Sequence, residues 1–381
     1  MTTRRDLYLT TISPALAAGR DMRAYTCVRA LAMLGPVDFA YVPHDTQEPD
    51  EAFASIENVR YHKIIPSRGF RRAVVYANKR LQGVPPGMCR GTSPELIEAG
   101  EALAESPDRG RVIVGDVNAA TAMMGLARHR PVIYNAHNFE SDYVRSPTGP
   151  HVLSRALIRN YERRLIRVAY ESWMVSRADV RSAQALVPGA RVRYVPNVVD
   201  VRAIQATPAR HGLGAEESGR LLMVGDFTYP PNINGRELLA RSVLPLVWEK
   251  MPAVRLTLAG RGMGDWRPPD ERIEAAGFVE DLAVLYGQAD CVVVPLEDGA
   301  GSPLKFIEAL AYAVPVVATP KAARGLEARE GVHFRQGEDA ASLAAEIVEV
   351  LRDGGAAIAA EGRLLAEREY SIESLAERIA A

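Results

Sequence analysis

The segment 292–319, VVVPLEDGAGSPLKFIEALAYAVPVVAT, most constrains what this chain can become, because it reads as strand, glycine loop, helix and second strand. The run 291–296 is apolar and β-branched, as a fully buried parallel strand should be. Gly299 and Gly301 then free the backbone for a tight turn that a phosphate can approach. Ser302 followed by Pro303 reads as a helix start, with serine as N-cap and proline at the first helical position. The free N–H groups of such a start, together with the helix dipole, favour an anion. Lys305 falls in the first turn, where a cation opposes the dipole, and a bound phosphate would account for its placement. Glu308 follows three residues later on the same face, where a carboxylate can accept bonds from ribose hydroxyls. A solvated Lys–Glu pair on a surface helix is the plain alternative.

The same alternation of strand and helix runs through the chain. Strands are expected at 7–12, 37–42, 60–64, 111–114, 132–134, 172–175 and 191–194, with a helix at 20–34. The stretch 67–107 holds Gly83, Pro85, Pro86, Gly87 and Gly91 and reads as the least regular part. A boundary falls after Val195-Pro196-Asn197. The second half is expected to carry strands at 221–224, 254–259, 278, 291–296, 314–319 and 332–334, with helices near 235–250 and 282–288. Such alternation predicts an α/β fold with doubly wound parallel sheets. A length of 381 residues suits two domains, each with its own core, expected at 1–200 and 201–363.

Charge and composition narrow the partners. The net charge of −1 gives no global reason to bind nucleic acid. Cys27, Cys89 and Cys291 are scattered and odd in number, which implies a reducing compartment without a disulfide framework or zinc site. The opening MTTRRDLYLTTIS lacks an apolar core or cleavage site, and no run of roughly 18 apolar residues follows. A cytoplasmic location with no membrane anchor is therefore expected.

Several side chains stand where doubly wound sheets bind ligands, beyond the carboxyl ends of strands. Gly19, preceded by Ala18 and flanked by Arg20 and Arg23, lies in the first strand–helix loop, though an ordinary turn would look similar. His137, with Asn138 beside it, follows the strand at 132–134, and a histidine there can hydrogen-bond a substrate hydroxyl near neutral pH. Gly260-Arg261-Gly262-Met263-Gly264 approaches a dinucleotide fingerprint, but its third glycine is one position early. Arg155, Arg159, Arg163, Arg164 and Arg167, with Leu157, Ile158, Leu165 and Ile166, read as a surface helix, with contact to anionic lipid as the sharper alternative. The chain contains no Asp-x-Asp, which argues against a dedicated metal site.

The blocks GAGSPLKFIEALAYAVPVVAT from Gly299, YVPNVVD from Tyr194, LLMVGDFTYPPNINGRELLARSVLPLV from Leu221, LTLAGRG from Leu256 and GFVEDLAVLYGQADCVVVP from Gly277 resemble the GT-B nucleotide-sugar glycosyltransferases. They are most similar to glycosyltransferase family 4, in a subgroup with a GxGxxxK donor loop. The first half contributes ISPALAAGRDMRAYTCVRALA and VIYNAHNFES. The resemblance implies two Rossmann-like domains facing across a cleft, the donor on the C-terminal one, the acceptor on the N-terminal one, and the helix within 364–381 packed back on the first domain. It implies transfer of a sugar from a nucleoside diphosphate to a soluble, small-molecule acceptor, with no cofactor or metal and with retention of anomeric configuration.

On that resemblance Lys305, Glu308 and His137 form the catalytic set. Gly19, Arg261, Val279, Gly299, Gly301 and Ser302 join Lys305 and Glu308 around the donor, Val279 at the base edge. Arg20, Arg23 and Asn138 lie on the acceptor side. The sequence departs from the family at Ala300, where the first of two glutamates is usual, and at Asp226, Phe227, Thr228 and Tyr229, where many members carry an Arg and a Lys. A nucleotide-sugar 2-epimerase-like enzyme, a catalytically lapsed binding protein, a polysaccharide-precursor acceptor and a homodimer stay open, as do the donor base and sugar.

Overall fold

A computed structural model describes residues 4–16, 19–43, 48–67, 69–89, 93–143, 150–299 and 301–381, except for the side chains of 19, 20, 142, 143 and 150–153. The chain divides into two compact units, Met1–Asn197 with Leu375–Ala381, and Val198–Ser374. Each is an α/β unit built on one parallel sheet.

The first unit carries β1 (Arg5–Thr10), β2 (Val37–Tyr41), β3 (Val59–Lys63), β4 (Arg109–Val114), β5 (Val132–Asn135), β6 (Glu171–Met174) and β7 (Val192–Tyr194). Their order across the sheet is β3-β2-β1-β4-β5-β6-β7. Successive strand residues point to opposite faces. Leu7, Leu9, Val112, Val114, Val132 and Tyr134 share one core. Tyr8 turns to the other face and stacks on Phe39 at 5.7 Å, and Phe39 meets Phe53 at the same separation. The first helix, Gly19–Leu34, opens at the carboxyl end of β1.

The stretch 67–107 is more regular than its prolines and glycines predict. It forms helices Phe70–Leu81 and Pro94–Ala104 around a short 3-10 turn at Pro86–Cys89. Ser93 caps the second of these by accepting from Leu96 N at 3.0 Å, and Pro94 takes its first position. The breakers punctuate the helices; they do not replace them. In the helix Pro150–Val168 the apolar Leu165 and Ile166 enter the core while Arg155, Arg159 and Arg167 are exposed.

The second unit carries β8 (Arg220–Val224), β9 (Arg255–Ala259), β10 (Ile273–Gly277), β11 (Cys291–Val294), β12 (Val316–Ala318) and β13 (Arg335–Gln336), in the order β10-β9-β8-β11-β12-β13. Val292 and Val294 pack on one face with Phe306, Ile307 and Leu310, whereas Cys291 and Val293 pack on the other with Leu343 and Ile347. Both faces of the sheet are therefore covered, which is why β11 is apolar throughout. The expected short strand at Phe278 is instead β10, ending at Gly277, and Phe278 is left 74% exposed. The last strand falls at Arg335–Gln336, just after the 332–334 expected for it. The helix expected at 235–250 begins earlier, at Pro230, because Pro230 and Pro231 occupy first-turn positions where no N–H is needed. Its middle opens into a π-turn at Leu239–Val243, two residues before Pro245, whose nitrogen cannot donate to the preceding turn.

Candidate functional site

The second unit gathers two glycine-bearing loops at the carboxyl ends of β8 and β9. Gly225 N donates to Ala259 O at 3.0 Å, and Phe227 N to Arg261 O at 2.8 Å, so the loops run side by side. Gly260 has φ 140°, and a Cβ there would lie 1.8 Å from Gly225 O; only glycine allows the approach. Arg261 does not project alone. Its Nε donates to Asp226 Oδ2 at 2.9 Å, while Asp226 Oδ1 accepts from Thr228 N at 2.9 Å and Thr228 Oγ1 at 2.6 Å. Burial would raise the Asp226 carboxyl, but the Thr228 and Arg261 bonds outweigh it and hold the group below its ordinary range.

Lys305 reaches the same place from the helix Leu304–Ala311. Its Nζ donates to Oδ1 of Asn232 at 2.5 Å, and Asn232 Nδ2 donates to Asp226 O at 2.8 Å. A Cβ on Gly225 would stand 3.0 Å from Lys305 Nζ. Burial pushes the Lys305 ammonium down to about 8, with Glu308 acting in the opposite direction. Glu308, one turn along, accepts from Tyr286 Oη at 3.0 Å. Burial raises its carboxyl above the ordinary range despite the Tyr286 bond and the Lys305 charge. The solvated Lys–Glu pair is thus not what the structure contains, since both side chains are half-buried and each is held by a partner outside the helix.

The loop entering that helix has Gly299 at φ 111° and Gly301 at φ 77°, both in the left-handed region. Ala300 lies outside the described residues. The helix starts one residue later than the sequence predicts: Pro303, extended at ψ 117°, is the cap residue, and Ser302 precedes it, 6% exposed. Val279 is half-buried beyond the end of β10 and packs on the core beside Leu282 and Leu285. It is a loop residue, not part of a strand.

In the first unit, His137 and Asn138 follow β5 and are half-buried. Glu140, in the same AHNFES stretch, was not singled out by sequence. Burial first, and the Glu162 carboxylate second, push its carboxyl up to about 7, against a bond from Asn138. Glu162 in turn accepts from Glu140 N at 2.5 Å and Ser141 N at 3.0 Å, closing the start of the helix Glu140–Tyr143.

Arg23, expected on the acceptor side, is 2% exposed. Its Nη1 donates to Val195 O at 3.1 Å, Pro196 O at 3.3 Å and Asn197 Oδ1 at 3.2 Å, and its Nη2 to Asn135 Oδ1. The guanidinium ties the first helix to the ends of β5 and β7, a structural role that leaves it inside the core. The backbone of Gly19 and Arg20 begins that helix, whereas the Arg20 side chain and the whole of Ala18 lie outside the described residues. Asp116, also missed by sequence, organises the neighbouring strand ends: its carboxylate accepts from Thr10 Oγ1, Thr11 N, Thr11 Oγ1, Asn118 N and Ala119 N at 2.7 to 2.9 Å.

Among the described residues no group of three or more His, Cys, Asp or Glu is placed to hold a metal, and no helix is long and apolar enough to cross a membrane.

This is the GT-B fold, two Rossmann-like parallel-sheet units in one chain. Residues 218–353, all within the second unit, match the family described as glycosyl transferases group 1. The whole chain is similar in structure to sucrose-phosphate synthase from Thermosynechococcus elongatus, at 18% identity and TM-score 0.71, covering 99% of this chain and 98% of that one. It is also similar to Anabaena HepE in complex with UDP-glucose, at 15% identity and TM-score 0.67 with 99% and 98% covered. A third similar structure is a point mutant of S. aureus TarM in complex with fondaparinux, alpha-GlcNAc-glycerol and UDP, at 10% identity and TM-score 0.67 with 99% of each chain covered. No curated protein matches the sequence.

Proposed function

We propose that this protein is a glycosyltransferase that moves a sugar from a nucleoside-diphosphate donor to a hydroxyl of a small soluble acceptor, without a metal and with retention of configuration. The observation that carries the reading is the Lys305 ammonium, half-buried over Gly225 and held by the neutral Asn232 amide, in the helix that follows the Gly299–Gly301 turn. A cation held by a neutral amide, beside a glycine-bearing loop at a helix start, suits a diphosphate.

As the bond between the anomeric carbon and the diphosphate oxygen breaks, negative charge grows on the leaving oxygens. Lys305 and the amides of Gly301 and Ser302 stabilise it, a preorganised electrostatic contribution. Glu308, oriented by Tyr286, holds the ribose, and Val279 borders the base. The acceptor oxygen forms the new bond on the face the diphosphate leaves, and its proton passes to the departing phosphate oxygen. His137 and Asn138 support the sugar or the acceptor. The Asp226–Arg261 pair favours the rival reading of a lapsed nucleotide-sugar binder, since it engages a second cation that the diphosphate would otherwise share.

The test is release of free nucleoside diphosphate from UDP-, GDP-, dTDP- and ADP-sugars in EDTA, with and without candidate acceptors. Acceptor-dependent release that Lys305→Ala lowers by roughly 100-fold or more supports the reading. Near-normal turnover in that variant removes Lys305 from the site, and donor binding without release under any condition favours the lapsed binder.

A further inference from the structure

We propose that Asn232 is a positioning residue of the donor site, fixing the Lys305 ammonium over Gly225 so that its charge is available to the diphosphate. The inference rests on the donor-site reading above. A lysine amine sits on a flexible four-carbon stem and does not hold one position unaided. Here the amine is held at 2.5 Å by a side chain that is itself only 5% exposed and anchored from behind by its own bond to Asp226 O at 2.8 Å. Asn232 lies in the first turn of the helix Pro230–Leu238, whose start the two prolines fix. Gly225 completes the arrangement, since a Cβ there would come within 2.9 Å of Asn232 Nδ2 and 3.0 Å of Lys305 Nζ.

The chemistry of the partner matters as much as its place. A carboxylate at this position would hold the ammonium more tightly but would neutralise it, whereas an amide oxygen satisfies one N–H and leaves the charge. Of the charged and titratable groups nearby, Glu308 on the same helix acts on Lys305 through its charge, raising the amine against burial, and makes its own hydrogen bond elsewhere, to the Tyr286 phenol. Asp226 faces Thr228 and Arg261. With burial already lowering Lys305 to about 8, its protonation, and so its hold on a diphosphate, is sensitive to what Asn232 supplies.

The experiment is calorimetric titration of the full chain with UDP, GDP, ADP and dTDP from pH 6 to 10, for wild type, Asn232→Ala and Asn232→Asp. Asn232→Ser is the substitute if either variant fails to fold. Wild-type affinity should fall as pH rises through about 8. Asn232→Ala should weaken binding about tenfold at pH 7 and move that fall to lower pH, because the ammonium has lost its acceptor. Asn232→Asp should also weaken binding yet move the fall to higher pH, since a carboxylate raises the amine. A residue that only braced the fold would not move the two profiles in opposite directions. Folded variants with wild-type affinity and an unmoved profile would overturn the role of Asn232 alone. Wild type that binds none of the four diphosphates would overturn the donor-site reading, and the role of Asn232 with it.

Discussion

Tyr286 donates its phenolic hydrogen to Glu308 Oε2 at 3.0 Å while its ring stacks on Tyr312, centroids 4.4 Å apart and planes within 9°. The carboxylate is thereby held by a residue from the helix Leu282–Gln288, and that ring is clamped by another at the end of Glu308's own helix. Tyr286→Phe keeps the stack and removes the bond. Glu308, already raised by burial, then rises further, and KM for the donor should increase roughly three- to tenfold with a smaller change in kcat. Steady-state kinetics with varied donor would show this; an unchanged KM would mean the carboxylate does not bind the ribose.

Glu140 sets a pH dependence in the first unit. Its folded carboxyl is raised to about 7 from 4.5, so the folded state binds this proton more tightly than the unfolded chain does. Its contribution to stability is complete below about pH 4 and is lost as pH rises through 7. Glu140→Gln mimics the protonated form. It should add about 2 kcal/mol at pH 8 and little at pH 4, read as the difference between denaturant unfolding curves at the two pH values.

Gly260 is where the loops after β8 and β9 touch. Gly260→Ala places a methyl against Gly225 O in a backbone conformation that L side chains rarely adopt. A loss of about 3 kcal/mol is expected, together with weakened nucleotide binding because the Gly225 loop must shift. Wild-type Tm would show that the loops are free to separate.

Arg23 distinguishes a core arginine from an acceptor-binding one. Arg23→Ala leaves Asn135 Oδ1 and three oxygens at the end of β7 without their donor. The expected result is destabilisation by about 3 kcal/mol, with acceptor KM unchanged in whatever fraction stays folded. An altered KM at undiminished stability would return Arg23 to the acceptor side.

The sequence by itself determined the parallel α/β architecture and most strand positions. A strand buried on both faces must be apolar along its length, and that pattern survives without neighbours, as in the Cys291–Val294 run. It also placed Lys305, Glu308 and the glycine turn together, because they lie within ten residues of one another on one loop and helix. In the stretch 67–107, which the sequence marks as the least regular, Pro and Gly punctuate the helices Phe70–Leu81 and Pro94–Ala104, and their local signal does not show where those helices run.

Only the tertiary structure decided what each side chain meets. Asn232 and Lys305 are 73 positions apart, and Arg23 and Val195 172 apart, and no local pattern encodes such a pairing. Periodicity reports which face of an element is buried. Whether a given polar group on that face meets a lysine, a backbone carbonyl or a ligand is fixed by the order β10-β9-β8-β11-β12-β13, which sets the loops after β8 and β9 side by side and brings Lys305 to them. Burial in that arrangement, not residue type, lowers Lys305 and raises Glu308, and burial against β5 and β7 of the other sheet leaves Arg23 in the core.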